Sequence, residues 1–190
     1  MKIVNYFLSI CALVFISACS DDTDVEKAPS IAGFYKISSM TADIAVDLDN
    51  NGVVSANLIA EIPYYFDSVQ YDLQITPTAY TDQPNNRLIT VYLPNTNLSL
   101  DYPGEPNGYS TFSRSGFSNG YLYNESSQII SILRGEQNDA YEAEFGRLES
   151  LGNYGDNQLI GLIKKNYYDY SSGSWKVLAI SCIYYKVNNI

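Results

Sequence analysis

The chain has 190 residues, with 21 acids against 11 bases, no histidine and a net charge of −10. Without histidine, Ser-His-Asp and Cys-His nucleophile arrangements and the usual zinc sites are excluded. The acidic balance excludes nucleic acid as a partner, because phosphate binding draws on clustered Lys and Arg and here only Lys164-Lys165 are basic neighbours.

The first element is a leader. Lys2 supplies a positive start, and residues 6–16 form an apolar run too short to span a bilayer comfortably. Small residues then precede Cys19, the layout of a removable export signal. The stretch Phe15-Ile16-Ser17-Ala18-Cys19 resembles the bacterial lipobox. That resemblance implies a signal peptide over 1–18 and a fatty-acylated (palmitate-bearing) Cys19 as the mature N-terminus. Two or more acyl chains anchor stably where one does not.

Residues 19–30 read as a flexible acidic tether through Asp21, Asp22 and Asp24. An acidic patch directly after a lipidated cysteine resembles the export signal of surface lipoproteins in Bacteroidota. It implies an outer-membrane or cell-surface location, with the membrane as partner through the lipid alone. Cys11 and Cys19 belong to the leader and the anchor, so Cys182 alone stays in the folded part and no internal disulfide forms. Its apolar surroundings, Ala179 to Tyr184, mark it for packing.

From residue 31 to 190 the pattern is one domain of strands. Segments 34–40, 69–76, 87–93, 120–123, 128–133, 141–148, 159–168 and 175–187 are rich in Tyr, Ile, Val, Leu and Phe, and Asn, Gly, Pro, Asp and Ser clusters separate them. Segments 152–156 and 171–174 read as hairpin loops. Residues 94–119, with Pro94, Pro103 and Pro106, read as a long loop. One helix is predicted, capped by Ser55, running over 56–62 and stopped by Pro63. The last strand carries apolar residues on both faces, which predicts a central or covered strand. About eight sequential strands with one short helix predict an all-β, antiparallel up-and-down barrel, with a β-sandwich as the alternative.

The run Ile31-Ala32-Gly33-Phe34-Tyr35-Lys36-Ile37-Ser38-Ser39-Met40, followed by Val46-Asp47-Leu48-Asp49-Asn50-Asn51-Gly52, resembles lipocalin-like lipoproteins of Bacteroidota. Those chains open with Gly-x-Trp and a strand, then an Asp-rich turn and a short helix; Tyr35 stands at the tryptophan position here. The resemblance implies a small antiparallel barrel whose interior holds an apolar ligand, and it implies no catalytic residues.

Four constellations carry candidate chemistry. Asp47, Asp49 and Asn51, with Gly52 at the sixth place, fit the first half of a calcium loop. Leu58 stands where a bidentate Glu would close it, so the expected affinity is weak, about 10⁻⁴ to 10⁻³ M, and Asn51-Gly52 equally suits a metal-free turn. Glu142 and Glu144 on one strand face would lie roughly 7 Å apart, a glycosidase-like spacing, but the alternation turns both toward water. Aromatic clusters stand at Tyr64-Tyr65-Phe66, Tyr167-Tyr168-Asp169-Tyr170 with Trp175, and Tyr184-Tyr185. Core packing accounts for most such rings; Tyr167, Tyr170 and Trp175, flanking one turn, are the candidates for a glycan or small ligand. Asp67-Ser68-Val69 resembles an O-glycosylation acceptor of Bacteroidota. The expected function is a non-enzymatic binding barrel for a small apolar or amphipathic ligand. The alternative is an interaction component of an envelope assembly that binds a protein or glycan partner through aromatic loops.

Overall fold

The computed structural model describes residues 27–77, 87–101, 108–135 and 139–187. Cys19, the leader and most of the tether lie outside these residues. In chain order the elements are β1 (Gly33–Val46), β2 (Ser55–Asn57), α1 (Leu58–Glu61), α2 (Pro63–Ser68), β3 (Leu73–Ile75), β4 (Leu88–Ser99) and β5 (Tyr109–Asn124). They continue with β6 (Ile129–Leu133), α3 (Asp139–Phe145), β7 (Arg147–Gly155), β8 (Gln158–Asp169) and β9 (Ser174–Val187).

All pairings are antiparallel, and neighbours run β6-β5-β4-β3-β1-β9-β8-β7 with β2 beside β1. Sequential strands thus form a nearly closed up-and-down barrel of eight, not a sandwich. Side chains cross the seam between β6 and β7. Arg134 Nη2 donates to Glu149 Oε2 at 2.9 Å, and Asn153 Nδ2 donates to the Gln128 carbonyl at 3.1 Å.

Strand alternation puts one face of each strand inside. On β9, Leu178, Ile180, Cys182 and Tyr184 are fully buried, whereas Val177 and Tyr185 are 65% and 40% exposed. The strand is central, between β1 and β8, but its outer face is open rather than covered. Large side chains meet inside: Tyr121, Tyr167, Tyr184, Phe117 and Met40 are all buried. The Tyr121 and Tyr167 hydroxyls donate to the Thr76 and Pro94 carbonyls, each at 2.8 Å. Rings therefore fill the interior, and the polar tips of Tyr121 and Tyr167 find backbone partners. Cys182 is free and buried, and burial pushes its thiol up to about 12, so it packs.

The predicted hairpin loop 152–156 is strand up to Gly155, the predicted strand 69–76 shrinks to Leu73–Ile75, and three larger predicted elements differ as well. The expected loop over 94–119 is mostly strand, since β4 runs on through Pro94 and pairs with β5 from Leu88↔Gly120 to Ser99↔Tyr109. Proline is tolerated because β3 stops at Leu73↔Val91. The Tyr92 N–H still finds a partner on that side, the Asp72 carbonyl at 2.7 Å. Pro94, two residues on, faces the same way with no strand beside it.

The single predicted helix is a strand and two helices. Ser55 belongs to β2, and Asn57 is the cap, its Oδ1 accepting from the Ile59 N–H at 3.3 Å. Pro63 opens α2 in the first turn, where a missing donor costs nothing, instead of ending α1. Neither helix would persist alone; buried Leu58, Ile62 and Phe66 tie them to the core.

The predicted strand 141–148 begins instead as α3, which closes at Gly146, φ +99°, whose N–H donates to the Glu142 carbonyl at 2.9 Å. Lys165, 1% exposed, donates from Nζ to Asn95 Oδ1 at 3.0 Å and to the Glu144 carbonyl. A cation on the last carbonyls favours the helix, and burial pushes this lysine down to about 8.

Leu178→Ala should cost about 2–5 kcal/mol in urea unfolding, while Val177→Ala should stay within about 0.5 kcal/mol. Equal losses at the two positions would contradict the assignment of the β9 faces.

Candidate functional site

A cleft of about 970 Å³ opens where the wall of the barrel is thinnest. β3 has three residues and β4 has twelve, so much of β4 beyond Leu93 lacks a strand neighbour on that side. The segment α1–α2 occupies the gap, and the cleft lies between it and the start of β5. Tyr64, Tyr65, Tyr71, Tyr109 and Phe112 supply rings, and Ser68, Gln70, Ser110 and Thr111 supply neutral polar groups. The volume is within the range of small-molecule sites, roughly 300–1,000 Å³. A second depression of about 420 Å³ lies at the opposite end, around Tyr35, Tyr123 and Lys186. It is more polar in its lining residues, among them Asn153, Asp156 and Asn157.

An aromatic ladder runs beside the cleft, and Tyr71 and Arg114 of it reach the lining. Phe34 and Tyr71 lie 4.8 Å apart and Tyr71 and Tyr92 lie 5.6 Å apart, centroid to centroid. The Arg114 guanidinium sits 3.4 Å over the Tyr92 ring and 4.9 Å from the Tyr71 centroid, and its Nη2 donates to the Tyr71 carbonyl at 3.0 Å. This cation staples the α2–β3 connection to β5. Gly116, paired with Tyr92, leaves room for that ring, since a Cβ would lie 2.7 Å from it.

The floor is acidic. Carboxylate oxygens of Asp47, Asp49 and Glu61 lie within 4.8 Å of one another, and Asp49 and Glu61 line the cleft. Asp47 and Asp49 thus come together as the calcium reading expects, but their third neighbour is Glu61 from α1 rather than Asn51. The Asn51 amide is used inside the loop: Oδ1 accepts from the Val53 N–H at 2.7 Å and Nδ2 donates to Asp49 Oδ2 at 2.9 Å. Asp47 accepts from the Asn51 and Gly52 N–H groups at 3.2 and 3.0 Å. Asp49 Oδ1 accepts from the Asn51 N–H at 3.1 Å. Asn50 and Gly52 carry the positive φ that lets the loop fold round them.

Backbone donors hold this floor to the barrel. Glu61 Oε2 accepts from the Leu48 N–H at 2.9 Å, and Asp169 Oδ1 accepts from the Asp47 N–H at 3.0 Å. The Tyr170 N–H returns to the Asp47 carbonyl at 2.8 Å. Burial and the neighbouring Asp49, Asp47 and Asp169 raise the pKa of Glu61 against the opposing Leu48 bond. Burial also acts to raise Asp169, but bonds from Asp47, Ser172 and Ser171 outweigh it and hold this carboxyl below its ordinary value.

The turn-flanking trio does not form one site. Tyr167 is an inward residue of β8, fully buried and bonded to Pro94 O. Trp175 is 51% exposed on the outer wall, edge-on to Tyr168, with ring centroids 5.8 Å apart. Tyr170 packs edge-on to the other side of Tyr168 at 5.2 Å. The two-carboxylate reading also loses its geometry. Glu142 and Glu144 are two apart on a helix, which turns them to different sides, and Glu142 pairs with Arg147 at 2.9 Å.

No protein-family model, curated protein or solved structure matches the chain.

Sequence reasoning names Tyr64-Tyr65-Phe66 and the Asp47 loop but does not join them, and it misses Glu61, Tyr109, Phe112 and Arg114. The available signal was Glu61 two residues before Pro63, directly ahead of the aromatic run.

The opposite shifts of Glu61 and Asp169 fix opposite pH behaviour. The contribution of Glu61 is complete below its ordinary pKa of 4.5 and is lost as pH rises through the elevated folded value. That of Asp169 is complete above 3.8 and is lost as pH falls through the depressed one. Glu61→Gln should therefore gain stability relative to the parent protein on going from about pH 4 to neutrality. Asp169→Ala should lose about 1–3 kcal/mol at neutral pH and recover part of that gap on acidification. Unfolding midpoints measured across this range check both signs, and slopes of the same sign would refute the assignment.

Proposed function

We propose that this chain is an envelope lipoprotein whose barrel is a non-enzymatic binding module, seating a small amphipathic ligand in the cleft at the barrel mouth. The observation that carries this reading is the contrast between interior and mouth. Large rings occupy the interior, whereas the mouth keeps about 970 Å³ lined by five aromatic side chains with polar groups at both margins. Rings on several sides give a ligand apolar contact, and a few placed polar groups orient it. The carboxylates here serve backbone N–H groups of the loop and its neighbours, an arrangement suited to holding a shape rather than to transferring protons.

The lipidated Cys19 and the lipocalin-like kinship remain part of this proposal on the strength of the sequence motifs. Cys19→Ala should release the protein from pelleted membranes into the soluble fraction; unchanged pelleting would sink the anchor.

A second reading is supported by the outer face of β8–β9, where Trp175 and Val177 are 51% and 65% exposed beside Tyr168. Such an apolar strip suits a protein or glycan partner of an envelope assembly.

Native mass spectrometry of the whole protein, purified from its own envelope, separates the two. The cleft reading expects an added small-molecule mass that is lost in Phe112→Asp and weakened in Tyr64→Ala, with Trp175→Ala unaffected. Tyr64 is 88% exposed, so its loss should leave the fold intact. A bound mass that depends on Trp175 and ignores Phe112 would transfer the function to the outer strip.

A further inference from the structure

The two ends of the cleft differ in charge. Arg114 lies on the ladder side, and its guanidinium is already covered by the Tyr92 and Tyr71 rings and bonded to the Tyr71 carbonyl. Asp49 and Glu61 lie on the floor, with Asp47 and Asp169 behind them. Arg114 acts to lower the pKa of Tyr65, Asp72 and Tyr92, whereas burial, and after it Asp49, Asp47 and Asp169, raise that of Glu61.

Glu61 is the decisive group. It is 4% exposed and lines the cleft, yet only Oε2 is bonded, to the Leu48 N–H. Among the described residues, Oε1 accepts no hydrogen bond. A carboxylate with one oxygen held and the other open to the cleft, among acidic neighbours, is stabilised in its ionised form by a positive group.

We propose that the cleft selects ligands with a positively charged organic head, an alkylated or primary ammonium, which sits against Glu61 and Asp49 among the rings of Tyr64, Tyr65 and Tyr109. This inference rests on the cleft-binding reading and names its ligand class. Ammonium groups are attracted both to carboxylates and to aromatic faces, and desolvation strengthens both contacts. A divalent ion fits the same floor less well. Calcium takes six to eight oxygens, whereas three carboxylates gather here and the Asn51 amide oxygen is turned to the Val53 N–H. An organic cation asks for one open carboxylate oxygen and flat rings, which are present.

The test uses the whole protein in a neutral detergent, titrated with three soluble probes of one shape: benzyltrimethylammonium, benzyl alcohol and phenylacetate. Binding is read from tyrosine ring signals by NMR. The cation should bind at least about tenfold more tightly than the other two. Glu61→Gln keeps an oxygen for the Leu48 N–H and should erase most of that preference, and Tyr64→Ala should weaken all three probes. Equal binding of cation and alcohol, unaffected by Glu61→Gln, would overturn the charge selectivity while leaving the cleft-binding reading in place. Absence of any probe response at the cleft would remove both. Calcium binding that Glu61→Gln abolishes, with no response to the ammonium probe, would overturn the inference in favour of a metal.

Discussion

Fourteen residues of β1 have to be matched on the β4 side by a β3 of only three, and the cleft depends on how the chain covers the remainder. β2 takes up part of it, pairing Thr41↔Asn57 and Val46↔Ser55. The rest falls to α1 and α2, which cannot extend the sheet because a helix satisfies its hydrogen bonds internally. A barrel closed by eight strands of equal length would bury its mouth residues against a neighbour. Here β4 and β5 run past the end of β3 as a free hairpin wall, and two short helices lean across from it. The space between a pleated wall and a round helix is not filled by either, which is why the aromatic residues there remain in reach of solvent.

The acidic floor is stabilised by the backbone rather than by counter-charges. No ion pair among the described residues involves Asp47, Asp49, Glu61 or Asp169. Instead the N–H groups of Asp47, Leu48, Asn51 and Gly52 each donate to one of these side chains. Charge-assisted bonds of this type are stronger than neutral ones, and several converge on one loop. They fix the Asp47–Gly52 turn. The uneven sharing of donors then sets the two pKa directions. Asp169 receives enough bonds to be held ionised, while Glu61 receives one and carries the repulsion of the others.

The barrel was legible in the sequence because its strands are runs rich in Tyr, Ile, Val, Leu and Phe between turn clusters, as at Ser171, Ser172 and Gly173 between β8 and β9. What such runs could not supply was context. Pro94 reads as a breaker unless the absence of a strand beside it is known. Asp139–Phe145 contains the alternating run Tyr141-Glu142-Ala143-Glu144-Phe145, and what favours the helix, the Gly146 closure and Lys165 of β8 on the Glu144 carbonyl, comes from outside that run. Tyr167 and Trp175 bracket one turn in sequence yet point to opposite faces, because their register neighbours are Lys176 and Tyr168. Glu61 had no motif at all; its role comes from a fold that brings α1 under the Asp47 loop.

The large number of tyrosines, eighteen in all, finds two separate explanations that composition alone merges. Inside, Tyr121 and Tyr167 act as long spacers, a ring that fills volume and a hydroxyl that reaches a backbone carbonyl, of Thr76 and of Pro94. Such a residue packs a barrel without requiring Leu and Ile side chains to meet across its full width. At the mouth, Tyr64 and Tyr109 are 88% and 46% exposed. The same residue type that packs the inside thus also gathers, exposed, around the cleft at the mouth, where Glu61 lies.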